Sequence, residues 1–291
     1  MRGPRWLFLS ALTAAAVTAL AMGAALADAG PGPAGTLLVV AGVGFLTTVA
    51  LGAVAMSGAG RSPDEALSER AETAARLAHE LRNPLMSIKG LASTGVRMFD
   101  QMSEDERREF FRLIDEEAAR VRRIADQSAE ALALDADRLE YDLQEEDLGA
   151  LVEQVAWEAP HAGHPMSVET EPDVRAAIDR RHLGSVVASL VDNAAKFSPP
   201  DAPIEVAVRR EDHDPVIEVA DRGPGIPLDR VDRVFERFGR WRPAGYEETP
   251  GAGLGLFLAR AHVLAHGGDI EVVERDDGGT ILRVSLPGRE G

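Results

Sequence analysis

The chain has 291 residues, of which 45% are hydrophobic, so it is long enough for about two domains with buried cores. Its formal net charge of −17 argues against a nucleic-acid partner, because phosphates require a basic face. It contains no cysteine, which excludes disulfides, thiolate metal sites and a cysteine nucleophile.

Two apolar runs dominate the first 60 residues. The runs Trp6–Leu26 and Ala34–Met56 carry no charged residue, and each reaches the roughly 20 residues that a helix needs to cross a bilayer. Glycines and prolines between them predict a very short outer loop. Arginines flank the pair at both ends, and positive charge favours the cytoplasmic side of a membrane. We therefore expect a multi-pass protein of the cell (inner, cytoplasmic) membrane.

The alternative for the first run is a cleaved secretory signal, since Ala25-Leu26-Ala27 resembles a small-residue cleavage site. The run is longer than the roughly 7–15 apolar residues of a signal, which favours the membrane span. On either interpretation, the chain from Arg61 onward is predicted to lie in the cytoplasm.

Two amphipathic helices are predicted after a Gly/Ser/Pro linker at Ser57–Pro63. Apolar residues recur at spacings of three and four from Leu77 to Val96, which is typical of a helix with one buried face. Ser103 followed by Glu106 forms a capping-box pattern that predicts the start of the second helix. A hairpin with one apolar seam per helix buries its seams best when two copies form a four-helix bundle. We therefore expect a homodimer.

From about Leu143 short β-rich runs alternate with helical patterns, which predicts an α/β sandwich. The expected domains are two membrane helices at 1–60, an all-α dimeric hairpin at 61–142 and the α/β domain at 143–291. The predicted strands and helices of the last domain are Ile204–Val208, Val216–Ala220, Ile270–Val273 and Thr280–Leu286, with helices at Arg181–Lys196 and Leu254–His266.

His79 lies off the apolar stripe of the first helix, where a histidine is often only solvated. Its neighbours are Glu80, Asn83 at i+4, and Pro84, which removes a backbone hydrogen bond. Phosphorylation of a neutral imidazole requires one free nitrogen and an acceptor for the proton on the other, and a carboxylate can accept it. The stretch His79–Leu85 resembles the phospho-acceptor box of the sensor histidine kinases of two-component systems.

This resemblance implies that His79 accepts a phosphoryl group from ATP and that Glu80 is the base. It implies that Asn83 can position water for dephosphorylation of a response regulator. The partner implied is a separate response regulator with a receiver-domain aspartate. Since almost nothing is predicted outside the membrane, we expect the signal to come from membrane lipid or from a membrane-protein partner.

The stretch Leu190–Phe197 is predicted to be helical and holds Asn193 and Lys196. A carboxamide oxygen suits Mg2+, and a lysine can meet phosphate. The stretch resembles the Asn box of the gyrase/histidine-kinase ATPase fold, which implies that Asn193 binds the metal and Lys196 the phosphate. One departure is Ser189, which stands where many relatives carry a second asparagine.

A glycine-rich turn follows the predicted strand that ends at Ala220. Its residues Asp221, Gly223 and Gly225 match the first glycine box of the same fold, in which the aspartate accepts the amino protons of adenine. By itself, such a turn is most often only a turn.

The Phe box and the second glycine box follow in the family's order. Phe235 and Phe238 resemble the start of the ATP lid, and the cationic Arg237 and Arg240 are candidates for phosphate contact. The second glycine box opens a predicted helix, whose backbone N–H groups can bind phosphate. The residues of this box assigned to ATP binding are Gly251, Gly253, Leu254 and Gly255.

The sequence leaves three other interpretations open. A gyrase- or MutL-type ATPase would hydrolyse ATP for conformational work, but the histidine box and paired helices argue against it. A non-catalytic membrane scaffold would carry a degenerate nucleotide fold, whereas Asn193 and Asp221 are intact. A sensor biased toward regulator phosphatase activity would use the same boxes. The remaining histidines show no metal-binding pattern, since His262 and His266 at i, i+4 lack an evident third ligand.

Overall fold

The two apolar runs predicted to cross the membrane lie outside the residues that the structure describes. Within the described part of the chain, no helix combines the length and the apolar character needed to cross a membrane. The chain divides into two units, 1–79 and 80–291, and the boundary falls inside the first helix. The structure is a computed structural model that describes residues 63–161, 163–239, 241–247, 249, 251–275 and 277–288.

Two long helices precede the α/β domain. Helix α1 spans Pro63–Met98, a short 3-10 turn covers Phe99–Gln101, and α2 spans Glu104–Asp135. The predicted capping box is confirmed, because the Glu106 N–H donates to the Ser103 hydroxyl while the Ser103 N–H donates to the Glu106 carboxylate at 2.7 Å. This cap satisfies two otherwise unpaired N–H groups and sets the start of α2.

The apolar side chains of this hairpin are unevenly buried within a single chain. Leu81, Ile124 and Ala131 are buried, whereas Val96 is 79% exposed and Phe111 is 64% exposed. A second copy packed along the hairpin would cover such side chains and remove apolar area from water. The exposure at this end of the hairpin therefore supports the expected pairing of two copies.

The α/β domain contains a two-stranded sheet of β1 and β3 and a five-stranded sheet in the order β2-β4-β5-β7-β6. β2 pairs with β4 in parallel, and every other pairing is antiparallel. The strands are β1 Gln144–Asp147, β2 Met166–Thr170, β3 Arg175–Ile178, β4 Ile204–Glu211, β5 Asp214–Ala220, β6 Asp269–Glu274 and β7 Thr280–Ser285. The helices are α3 Leu148–Glu158, α4 Arg180–Phe197, α5 Val231–Val234 and α6 Gly255–Ala265.

One hydrophobic core joins the helices to the large sheet. Leu151 of α3, Leu190 of α4 and Val263 of α6 are buried together with alternate residues of the strands, such as Val206 and Leu282. Alternate residues of a strand point to the same face, so the helices cover one face of the sheet. The α/β sandwich and the mixed sheet agree with the predicted fold. The packing places the ends of α4, β5 and α6 at a common edge.

Candidate functional site

A cavity of about 280 Å³ opens where α2, α4 and α6 meet the loop after β5 and the segment 239–253. Each of the three elements that carry a predicted Asn or glycine box contributes to its wall. The predicted site residues that line it are Asn193, Lys196, Asp221, Gly225, Gly251, Gly253 and Gly255.

Asp221 is the most deeply buried ionisable residue of the cavity wall, with 3% of its surface exposed. Its Oδ1 accepts the N–H of Gly223 at 2.7 Å and that of Thr280 at 3.2 Å. Burial raises the pKa of this carboxyl above its ordinary value, although those two N–H groups act in the opposite direction. Among the described residues no hydrogen bond reaches Oδ2, so this oxygen remains available to an N–H of a ligand.

One face of α4 forms a second wall. Ser189, Asp192, Asn193 and Lys196 follow the helical repeat and all line the cavity, and the Lys196 ammonium is paired with the Asp192 carboxylate. Carboxamide and carboxylate oxygens are the ligands that Mg2+ prefers, so Asn193 and Asp192 fit a magnesium ion at this wall. A Cβ on Gly255 would lie 2.6 Å from Ser189 Oγ, so α6 approaches α4 closely at this point.

The segment 239–253 is closed at its neck by a backbone contact. The Phe238 N–H donates to the Gly253 carbonyl at 2.9 Å, and both residues have positive φ angles, 59° and 69°. A Cβ on Gly253 would lie 2.7 Å from the Gly239 oxygen. The absent side chain therefore lets the Phe box and the second glycine box meet directly.

The other predicted site residues of this domain lie away from the cavity wall. Phe235 belongs to the main hydrophobic core, and Leu254 is buried in a smaller cluster with Ala131 and Leu258, against which Phe238 packs. Gly223 donates to Asp221 and lies against the Phe197 carbonyl. Arg240 lies outside the described residues.

Arg237 contacts α2 and does not line the cavity. Its Nη1 and Nη2 donate to the Asp135 carboxylate at 2.6 and 2.9 Å, and Nη2 also donates to the Ala131 carbonyl at 2.8 Å. The guanidinium lies 5.0 Å from the centre of the Phe257 ring. The expectation that Arg237 contacts phosphate is corrected here, because this guanidinium is engaged by the C-terminal turn of α2.

Sequence reasoning missed the wall that α2 supplies. Arg120, Arg123, Ile124 and Gln127 of that helix line the cavity. These residues recur at the spacing of one helical face, so a cationic stripe on α2 was readable from the sequence. Nothing in the sequence says that this stripe faces a cavity of the α/β domain.

The predicted phospho-acceptor residues all lie on α1. His79 and Asn83 are exposed, whereas Glu80 is buried. His79 ends the first unit of the chain, and the helix continues without a break through Pro84. An exposed imidazole on a helix is open to an incoming reactant.

Two family models match the chain. The His Kinase A (phospho-acceptor) domain matches residues 69–131, and the histidine kinase-, DNA gyrase B- and HSP90-like ATPase matches residues 178–290. Together they cover more than half of the chain and occur in the order predicted from the motifs.

Two curated proteins illustrate the likeness. The sensor protein KdpD of Clostridium acetobutylicum is 32% identical over 218 residues, which cover 72% of this chain and 24% of KdpD. The signal transduction histidine-protein kinase/phosphatase MprB of Mycobacterium tuberculosis is 42% identical over 117 residues, which cover 38% of this chain and 23% of MprB. The chain thus spans about a quarter of the length of these two relatives.

Two solved structures are among those that resemble this chain. A structure of the mycobacterial sensor histidine kinase MprB is 30% identical, with a TM-score of 0.45, and the match covers 50% of this chain and 98% of that one. The histidine kinase ThkA, solved in complex with the response regulator protein TrrA, shares the fold at 24% identity and a TM-score of 0.54, covering 78% of this chain and 64% of that one. By its two domain matches and the curated relatives, the chain belongs to the sensor histidine kinases of two-component systems.

Proposed function

We propose that this protein is a membrane-anchored histidine kinase that transfers the γ-phosphoryl group of ATP to His79 and then to an aspartate of a response regulator. The observation that carries the proposal is the cavity with a buried carboxylate, Asp221, at its base and Asn193 in its wall. The exposed His79 in a phospho-acceptor domain supplies the acceptor.

Adenine is proposed to bind against Asp221. The Oδ2 of Asp221 is available to accept the adenine amino group, and Ile226, Val234 and Leu256 provide apolar walls for a flat ring. A buried acceptor opposite a ligand N–H discriminates strongly, because a base without that N–H leaves the carboxylate unpaired.

The triphosphate is proposed to bind at the glycine-rich start of α6. Helix α6 begins at Gly255, directly after the glycine-rich turn that contains Gly253, so the positive end of the helix dipole lies at the cavity and favours phosphate oxygens. Mg2+, when bound, neutralises phosphate charge. Asn193 and Asp192 would hold it through oxygen atoms, and Lys196 lies one turn further along the same face of α4.

In the proposed transfer, one imidazole nitrogen of His79 attacks the γ-phosphorus. The N–P bond forms as the bond from the γ-phosphorus to the bridging oxygen breaks, and ADP leaves with that electron pair. Glu80 is the proposed acceptor for the proton on the other nitrogen. Positioning and electrostatic stabilisation supply most of the rate, as in phosphoryl transfer generally.

The proposed assembly is a homodimer through the hairpin, with a response regulator as the second partner. The phospho-acceptor domain match and the exposed apolar side chains of the hairpin support the dimer, and the ThkA complex with TrrA supports the regulator. The proposed domains are a membrane anchor at 1–60, the hairpin at 61–142 and the ATP-binding domain at 143–291. The two uncharged apolar runs support the anchor.

The test uses the 291-residue chain in mild detergent with magnesium and γ-labelled ATP. We expect acid-labile, alkali-stable label on the wild type, and less than about 1% of that label on His79→Gln, because glutamine offers no attacking ring nitrogen. The matched control is His213→Gln, an exposed histidine of the β4–β5 turn, which should keep full labelling.

Two results would contradict the proposal. Label retained on His79→Gln would move the acceptor to another residue. ATP binding is measured by the quenching of a fluorescent ATP analogue. Absence of binding would favour a non-catalytic membrane scaffold.

A regulator phosphatase is the second candidate activity. Asn83 is exposed one turn after His79, where a carboxamide can orient water, and the relative MprB carries both activities in its name. ATP binding without label, together with loss of phosphate from a phosphorylated regulator, would favour this activity.

A further inference from the structure

A second cluster of ionisable side chains lies apart from the cavity. Glu130 of α2, His182 of α4 and His262 of α6 each offer one ligand atom, and the three atoms lie within 4.8 Å of one another. Glu130 Oε1 is 3.4 Å from His262 Nε2 and 3.7 Å from His182 Nε2. Both imidazoles are almost completely buried, with His262 at 0% exposure.

The far side of each imidazole faces a group that orients it. His182 Nδ1 lies 3.0 Å from the Asp179 carboxylate, although not in line for a good hydrogen bond, and His262 Nδ1 lies 2.9 Å from the Tyr141 hydroxyl. With the Nδ1 protons on the sides of the Asp179 carboxylate and the Tyr141 hydroxyl, the Nε2 lone pairs lie on the side of Glu130, and this is the tautomer that a metal ion requires. Metal-ligating histidines are held by such outer partners.

His266 is excluded from this cluster by its own hydrogen bonds. Its Nε2 accepts the N–H of Asp179 at 2.9 Å, and its Nδ1 donates to the His262 carbonyl at 2.6 Å. Both ring nitrogens are therefore engaged, and the i, i+4 pair of α6 supplies only one available ligand.

The inner atoms of this cluster are polar and incompletely paired. Among the described residues His262 Nε2 is buried and has no hydrogen-bond partner, and it lies beside the Glu130 carboxylate. Either a proton or a metal ion must lie between these atoms, because a buried polar atom left unpaired is costly.

We propose that Glu130, His182 and His262 form a binding site for Zn2+ or a similar divalent transition metal. Two imidazoles and one glutamate are a ligand set that zinc uses, with a fourth position open to water. Bonds of about 2.0–2.2 Å in a tetrahedron place ligand atoms about 3.3–3.6 Å apart. Glu130 Oε1 meets this requirement with little movement, at 3.4 and 3.7 Å from the two imidazole nitrogens, and all three ligand atoms lie within 4.8 Å of one another.

Such a metal would join three elements that are far apart in the sequence. Glu130 belongs to α2 of the hairpin, whereas His182 and His262 belong to α4 and α6 of the α/β domain. A bound ion would hold the α/β domain against α2. The site itself does not depend on the proposed kinase activity.

The experiment measures Zn2+ binding to the 291-residue chain in detergent, in competition with a chromophoric chelator. Wild type should bind one Zn2+ per chain, and Co2+ in its place should give the intense visible bands of a tetrahedral ion. Loss of an outer partner alone costs about 10- to 100-fold in metal affinity, so we expect Glu130→Gln to weaken Zn2+ binding by more than about 10-fold. Glu130 is partly exposed on α2, and glutamine keeps its size.

The matched control is Asp126→Asn, one turn earlier on the exposed face of α2, which should bind Zn2+ as the wild type does. Zn2+ should also raise the unfolding temperature of wild type and control but not of Glu130→Gln. Far-UV circular dichroism without metal checks that each variant folds. Unchanged Zn2+ affinity in Glu130→Gln, or no stoichiometric binding by a folded wild type, would overturn the site and leave a proton between these groups.

Discussion

At the scale of single residues, the neck of the segment 239–253 depends on one missing side chain. Gly253 has a positive φ, and its α-carbon lies where a Cβ would meet the backbone of Phe238 and Gly239. Backbone atoms cannot rotate away as the end of a side chain can. The close approach of the two boxes therefore requires glycine at this position.

Gly253→Ala should lower the free energy of unfolding by about 2 kcal/mol, because it adds a strained φ and a backbone clash. Gly251→Ala is the matched control, since its Cβ would meet nothing within 4 Å, and its effect should stay within about 0.5 kcal/mol. Urea unfolding followed by tryptophan fluorescence measures both. Equal losses of unfolding free energy for the two substitutions would show that the close contact at Gly253 does not require glycine.

Residues with a local reason could be predicted from the sequence. Asp221 follows a strand directly and Asn193 lies on a helix face, and both of these predicted site residues line the cavity. The contacts of Arg237 and Glu130 were not predicted, because their partners are more than 50 residues away in the sequence. The sequence shows which residues are charged, but the fold determines which partner each of them contacts.

At the scale of elements, the large sheet carries a buried carboxylate between two arginines on neighbouring strands. Glu218 of β5 accepts hydrogen bonds from Arg209 of β4 and, at 2.7 Å, from Arg283 of β7. Burial alone would raise the pKa of Glu218, but the two guanidinium groups outweigh it and hold this pKa below its ordinary value. The ionised form therefore stabilises the fold.

Glu218→Gln should cost about 1–3 kcal/mol of unfolding free energy at pH 7, since glutamine is uncharged and its amide nitrogen cannot accept a hydrogen bond from the second guanidinium group. A carboxyl with a lowered folded pKa stabilises above the ordinary value of about 4.3 and loses that contribution as the pH falls below it. The difference in unfolding free energy between the wild type and Glu218→Gln should thus become smaller below about pH 4.3. Urea unfolding at pH 7, 5, 4 and 3 measures it.

Glu271→Gln is the control for this series, because Glu271 is an exposed residue of β6 at 3.7 Å from Arg283. Its effect should be within about 0.5 kcal/mol at every pH. If the difference in unfolding free energy between the wild type and Glu218→Gln stayed constant down to pH 3, the charge of Glu218 would not be its cause.

Elements with strong periodicity or a cap were predictable, and short polar ones were not. The predicted helix at Arg181–Lys196 differs from α4 by one residue at each end, and the capping box set the start of α2 correctly. Strands β1, β2 and β3 were not predicted. β1 reads Gln-Glu-Glu-Asp, which has no apolar alternation, and it forms only because β3 pairs with it.

At the scale of the whole molecule, Arg237 ties the segment after α5 to the end of α2. It is a partly buried, two-pronged pair with Asp135, and it also binds a carbonyl of the same helix. Paired guanidinium and carboxylate groups in this geometry are among the stronger ion pairs.

A double-mutant cycle of Arg237→Ala and Asp135→Ala should give a coupling energy of about 1–2 kcal/mol. The exposed pair Arg108–Glu104 within α2 is the reference, with an expected coupling of about 0.3–0.5 kcal/mol. Thermal unfolding of the four chains of each cycle provides the energies. A coupling at Arg237 no larger than that of the reference pair would mean that this contact does not hold α2.

The wall that α2 contributes to the cavity has a consequence for control of the proposed kinase. Arg120, Arg123 and Gln127 complete that wall. A ligand that contacts them therefore has its highest affinity for the protein when α2 is in the position that brings these residues to the cavity. Linkage is reciprocal. If an input shifts α2 and thereby changes the nucleotide affinity by some factor, bound nucleotide changes the equilibrium between the positions of α2 by the same factor. A sensor built in this way reports the energy state of the cell together with its stimulus, and the same stimulus gives a weaker or stronger response as the ATP concentration changes.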